Sequence, residues 1–240
     1  MVDAKKPLNR SNIIIATIKE WNIVNYFKLK EAYKNRFNFF LITNKEELTK
    51  EYINRIFPKY IFFPHWSWII PKEIYENYEC VVFHMTDLPY GRGGSPLQNL
   101  IIRGVYDTKI SALKVSNGID TGDIYLKEDF NISQGNADEI FHKASDIIFN
   151  TMIPKFLETT LTPVKQNGEV VTFKRRTPSQ SDLSKLENKS LDKVYDFIRM
   201  LDGVGYPRAY INLENLKIEF SNVTKENNKL TGKFEVINNE

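Results

Sequence analysis

The chain has 240 residues, of which 42% are hydrophobic and 13% aromatic, enough for one domain with a sizeable core or one domain and an appendage. Charged residues make up 26%, but the net charge is only +3, which argues against a protein held on nucleic acid by a strong positive field. The single cysteine, Cys80, excludes an internal disulfide and fits a reducing cytoplasm.

Asn12–Thr17 is an apolar run of strand length, of the kind that suits a strand covered on both faces. Residues 22–36 then read as a helix with Ile23, Tyr26, Phe27 and Ala32 near one face, and Phe37–Thr43 as a second buried strand. Asn44 is placed to cap a following helix that turns Leu48, Tyr52, Ile53 and Ile56 inward. Tyr60–Phe63 and Cys80–His84 are two more strands, with a short helix near 71–76 between them. Strand and helix alternating at this spacing predict an α/β fold, a Rossmann-like and mostly parallel sheet with helices on both faces. In such sheets ligands bind outside the carboxyl ends of the strands, where His84 stands.

Pro96–Gly104 reads as a helix with proline in its first turn. Ser111–Ser116 and Asp123–Ile132 read as strands paired across Asn117-Gly118, and Ala137–Leu161 as one long helix by its apolar spacing. Val170–Phe173 is a short strand, and Lys174–Asp182 a polar, basic loop or boundary. This divides the chain into a catalytic domain at 1–182 and a small α+β unit at 183–240, a helix over 191–201 and strands at 209–213, 216–220 and 230–237. About fifty residues make a weak core alone, so that unit is expected to pack on the main domain or a second subunit. The N-terminal lysines precede no apolar stretch of a signal peptide, and no apolar run approaches the ~20 residues that span a bilayer.

Three scattered histidines and one cysteine have no metal-ligand spacing, so no metal is expected. His142 reads as a surface residue; His65, before Trp66-Ser-Trp68, as lining a pocket or packing. His84 opens a loop with Pro89, Gly91, Gly93, Gly94 and Pro96, and such glycines let backbone approach a ligand closely. The loop lacks the Gly-Lys-Ser/Thr ending of a P-loop, and no Gly-x-Gly-x-x-Gly follows the first strand. Asn117-Gly-Ile-Asp-Thr-Gly-Asp123 reads as a solvated turn, or as a bend whose Asp120 carboxylate orients a base.

Together, His84-x-x-x-Leu88-Pro89, Arg92-Gly93-x-x-Pro96-x-Gln98 and Ile119-Asp120-Thr-Gly122 resemble the folate-dependent formyltransferases, over residues 11–220. The segment Phe173-Lys-Arg-Arg-Thr-Pro178 is similar to the one that follows the catalytic domain of sugar N-formyltransferases. The resemblance implies that His84 and Asp120 are catalytic and that N10-formyltetrahydrofolate donates the formyl group. It implies a pterin held near Ile70 and across Ser116, Asn117, Gly118 and Asp120. Lys19, Trp21, Asn22, Thr86, Tyr90, Arg92 and Gly93 would line the acceptor pocket, and Lys174, Arg175 and Arg176 would meet a diphosphate.

The expected acceptor is the primary amine of a nucleotide-linked amino-deoxy sugar, specifically UDP-4-amino-4,6-dideoxy-AltNAc of pseudaminic acid biosynthesis. The expected partners therefore include neither nucleic acid nor membrane, and the C-terminal strands would build a homodimer. The alternatives are an enzyme like methionyl-tRNA formyltransferase, or a non-catalytic folate or nucleotide binder. One departure stands out: where the family pattern has Asn two residues before its histidine, this chain has Val82. Gln98 and Asn99 are the nearby amides that could reach back in its place.

Overall fold

A computed structural model describes residues 10–239, so the N-terminal lysines lie outside the described residues. Ser11–Ala16 (β1), Phe37–Ile42 (β2), Tyr60–Phe63 (β3), Cys80–His84 (β4), Asp107–Lys114 (β6) and Ile124–Asn131 (β7) form a six-stranded sheet of order β2-β1-β3-β4-β6-β7. The strands β2, β1, β3 and β4 are mutually parallel. Ile13, Ile14 and Ile15 are fully buried, as a strand covered on both faces requires.

The remaining elements are the helices Glu20–Tyr33 (α1), Lys50–Ile56 (α2), Lys72–Tyr75 (α3), Pro96–Ile102 (α4), Ala137–Ile147 (α5), Ile153–Glu158 (α6) and Leu191–Arg199 (α7). Tyr90–Gly93 (β5) pairs in parallel with Val171–Phe173 (β8), and Ala209–Leu213 (β9), Leu216–Glu226 (β10) and Lys229–Asn238 (β11) make a three-stranded antiparallel sheet. The fold class is thus the expected α/β arrangement with a small C-terminal α+β part.

Three local readings are corrected. Asn44 caps only a single 3₁₀ turn at Lys45–Glu47, and Thr49 caps α2 by accepting from the Tyr52 amide. The long helix over 137–161 is interrupted by a π-helical turn at Ile148–Met152, because Pro154 has no N–H to continue the ladder. The loop after His84 contains strand β5, which pairs with β8 far along the chain and so leaves no local pattern.

The chain divides into two compact units, each drawn from separated segments: the chain up to Phe83 with Ala112–Leu126 and Ser145–Lys165, and His84–Ser111 with Lys127–Ala144 and everything from Gln166 on. In the first unit a buried cluster includes Ile14, Ile42, Ile53, Ile61, Phe63 and Ile74. Asn25 of α1 donates to Ser145 Oγ at 3.0 Å and to Asp146 at 2.9 Å, tying α1 to the end of α5. In the second unit α7, capped by Ser190, lies against α4 and β10 and buries Phe197, Ile198 and Arg199. Gln98 of α4 donates to the Met200 carbonyl at 3.1 Å, fixing the α4–α7 pair at one point.

Candidate active site

His84 ends β4 and is 8% exposed. Its Nε2 lies 2.7 Å from the Gly91 carbonyl. A carbonyl only accepts, so Nε2 carries a proton, and any proton His84 exchanges is exchanged at Nδ1. The turn that places this carbonyl is braced from both sides. Ser111 Oγ donates to the Thr86 carbonyl at 2.7 Å, and Thr86 Oγ1 lies 3.4 Å from the same Gly91 oxygen.

The loop glycines are explained by the protein itself. Gly91 has φ +81°, and a Cβ there would stand 2.7 Å from the Phe173 ring and 2.8 Å from Thr86 Cγ2. At Gly93 a Cβ would meet the Phe173 carbonyl oxygen at 2.4 Å. Gly91 and Gly93 thus let the backbone approach β8 closely. Tyr90 packs edge-on against Phe173, and Arg92 donates twice to Gln166 Oε1, at 3.1 and 2.7 Å. Thr86 is fully buried, so its side chain braces the turn and is closed to an acceptor.

The two amides considered as stand-ins at position 82 are committed elsewhere. Gln98 holds the Met200 carbonyl, and Asn99 Nδ2 lies 3.0 Å from each of the carbonyls of Gly94, Ser95 and Lys174. That reading is corrected: both side chains knit unit 2 together. Val82 itself packs on the buried cluster of unit 1. Lys174 and Arg175 are exposed, whereas Arg176 is half-buried and turned into a separate cavity.

In the first unit Asp120 is half-buried and held at φ +53°, in the left-handed region that Asp tolerates better than most residues. Its loop is tied by Thr121 Oγ1, which donates to the Asn117 carbonyl at 3.1 Å and lies 3.2 Å from Ser116 Oγ. Ile70 is buried in the core cluster, so only its backbone is available to a ligand. Beside it Ile69 is 93% exposed, and in the Asp120 loop Ile119 is 73% exposed. Isoleucines standing bare in two loops fit a flat apolar heterocycle better than a solvated turn does. The sequence pattern carries Ile119 only as part of its motif and leaves Ile69 out; the available signal was an apolar residue where turn chemistry calls for a polar one.

Lys19, Trp21 and Asn22 do come together at the start of α1, with His65 as a fourth member. The Lys19 ammonium lies 5.3 Å from the Trp21 ring, and Trp21 meets His65 edge-on at 6.1 Å. Asn22 Nδ2 donates to Thr17 Oγ1 at 2.9 Å, while its buried Oδ1 has no hydrogen-bond partner. Burial, reinforced by the Lys19 charge, pushes the His65 imidazole down to about 4, so it is neutral at pH 7. Among the described residues no group of three His, Cys, Asp or Glu could hold a metal ion, and no helix is long and apolar enough to cross a membrane.

Within the second unit His84 is a buried, oriented imidazole, and within the first unit Asp120 is a half-buried carboxylate on left-handed backbone. One solved structure similar over nearly all of the chain is a methionyl-tRNA formyltransferase from Clostridium thermocellum, 56% identical over 95% of this chain and 100% of that one, with a TM-score of 0.92. The chain belongs to the methionyl-tRNA formyltransferase family. A family model described as the methionyl-tRNA formyltransferase C-terminal domain matches residues 178–237. A methionyl-tRNA formyltransferase of Rickettsia canadensis is 27% identical over 196 residues, 75% of this chain and 62% of that protein, so the chain spans less than two thirds of its length. A sugar N-formyltransferase from a Shewanella species shares the fold, with a TM-score of 0.67 over 85% of this chain and 93% of its own, but only 14% identity.

These relations overturn the amino-sugar acceptor, the pseudaminic acid pathway and the exclusion of nucleic acid. The low net charge averages 33 basic against 30 acidic residues and says nothing of where they stand.

Proposed function

We propose that this protein transfers a formyl group from N10-formyltetrahydrofolate to the α-amine of methionine carried on tRNA. The observation that carries this reading is the near-complete match to the Clostridium thermocellum protein named for that activity. In this reading the amine lone pair attacks the formyl carbon, the carbonyl oxygen takes negative charge, and the bond to the folate nitrogen then breaks. The proton lost by the amine balances the one gained by the departing nitrogen. Because Nε2 of His84 serves Gly91, the oxyanion is met on the Nδ1 side of the ring. Asp120 takes the proton of the amine. The exposed Ile69 and Ile119, with backbone groups of Ile70 and Ser116–Asp120, receive the pterin.

The test is formylation of methionyl-tRNA by the purified protein with N10-formyltetrahydrofolate, followed as tetrahydrofolate release and formyl-methionine. Losing an oxyanion donor costs about 3 kcal/mol, so His84→Ala should lower kcat by roughly 10²- to 10³-fold. Asp120→Asn should fall comparably while folate binding persists. A second reading, a folate binder without turnover, draws on Val82, whose side chain donates no hydrogen bond and packs on the core. Folate binding with no product, unchanged in His84→Ala, would select it and sink the first.

A further inference from the structure

Unit 2 contains a cavity of about 750 Å³ between the end of α4, the 3₁₀ turns at 178–185 and α7. Its lining is divided. Ile101, Tyr106, Phe197 and Met200 form an apolar and aromatic wall, and Arg103, Arg176 and Lys193 bring positive charge.

Arg176 is the informative residue. Its backbone N–H donates to Ser95 Oγ at 3.1 Å and one terminal nitrogen donates to the Gln180 carbonyl. Its Nε is buried without a hydrogen-bond partner, and the guanidinium lies 5.9 Å from the centre of the Phe197 ring. Burial and the nearby positive charge of Arg103 both lower its pKa. Arg103 donates through Nη1 to the Asn99 carbonyl and side-chain oxygens at 2.8 Å each, and its guanidinium stacks on the Phe173 ring at 4.7 Å while lining the cavity.

Three acids line the cavity, and none pairs with these arginines: Asp196 accepts from Arg199 at 2.7 Å and from Tyr106, Asp182 accepts from Ser184 and Lys185, and Glu187 makes no ion pair with either. Among the described residues neither Arg103 nor Arg176 has a carboxylate partner. Two guanidiniums on one cavity, one of them with an unfilled buried donor, beside an aromatic wall, are costly unless an anion joins them.

We propose that this cavity binds a nucleotide, with its phosphate between Arg103 and Arg176 and its base against Phe197 and Tyr106. Planar guanidiniums bind phosphate oxygens in pairs, an aromatic wall receives a heterocycle, and the volume lies in the range of small-ligand pockets. Gln180 and Asn188 on the rim offer amides to the base edge. The phosphate and base come either from a free nucleotide or from a residue of an RNA chain.

The experiment is calorimetric titration of the intact protein with the four nucleoside 5′-monophosphates, with inorganic phosphate, and with tRNA in competition. The readout is equilibrium binding, so it stands apart from whether the protein formylates tRNA. A monophosphate should bind more tightly than inorganic phosphate, and Arg103→Ala should weaken it about 10- to 100-fold, the worth of a charge-assisted pair. Arg103 is exposed, so this variant should fold even if Arg176→Ala does not. Displacement of the nucleotide by tRNA assigns the site to RNA, and no displacement assigns it to a free nucleotide. Absence of binding at millimolar ligand, binding equal to that of inorganic phosphate, or binding indifferent to Arg103→Ala would overturn the proposal.

Discussion

Replacing Gly122 by alanine tests how the Asp120 loop is held. A Cβ at this position would stand 1.7 Å from the Lys114 carbonyl oxygen and 2.9 Å from its carbon. Ordinary contact begins above 3 Å, and both atoms are backbone, so no side-chain rotation relieves the clash. The loop and the end of β6 must separate by more than 1 Å. Forcing a methyl into such a site costs about 1–3 kcal/mol. The hydrogen bond from the Lys114 amide to the Asp123 carbonyl, 2.9 Å long, spans the same gap, and its loss adds about 1 kcal/mol. The sum is roughly 2–4 kcal/mol, or a fall in Tm of roughly 5–15 °C for a chain of this size. Urea unfolding would read the stability, and amide exchange at Lys114 the local opening. If Gly122→Ala unfolds within 0.5 kcal/mol of the parent and protects Lys114 equally, the steric reasoning is wrong. If stability falls but formyl transfer per folded molecule does not, the loop is structural and Asp120 has no part in the reaction.

Other outcomes follow from groups with named partners. Arg199 is 1% exposed and holds Asp196 at 2.7 Å and the carbonyls of Ile132 and Gly135 at 3.0 and 2.9 Å. Arg199→Ala strands a buried carboxylate and two carbonyls, so chemical denaturation should show a loss of about 3–5 kcal/mol, and a loss below 1 kcal/mol would refute the assignment. His65 has its pKa lowered to about 4 from an ordinary 6.5, so the unfolded chain takes its proton first on acidification. That part of stability is full above pH 6.5 and is lost as the pH falls toward 4. His65 keeps some solvent contact, so the loss is about 1–3 kcal/mol, below the value for full burial. His65→Asn suits the left-handed backbone at φ +51° and should flatten that part of the stability curve; an unchanged slope would refute it. Asn99→Leu should destabilise unit 2 by about 2–4 kcal/mol, because three carbonyls and Arg103 lose their partner. A stable Asn99→Leu would return that amide to the list of stand-ins for the position-82 donor.

The sequence alone carried the sheet, because covered strands must be continuous apolar runs, and Ile13–Ile15 and Tyr60–Phe63 can be little else. It also singled out His84 and Asp120 as candidates, and it exposed the departure at Val82. It did not carry β5, since a strand of Tyr-Gly-Arg-Gly exists only because Val171–Phe173 lies beside it. Nor did it show that Gly91 and Gly93 make room for Phe173. The roles of Gln98, Asn99 and Arg176 depended on carbonyls and rings 75 to 102 residues away or in a distant helix, so tertiary structure alone decided them. Composition could not place a charge, and a net +3 concealed two arginines lining one cavity, neither paired with a carboxylate among the described residues. Local pattern reports what a segment buries; only the fold determines which distant atoms a polar group must satisfy.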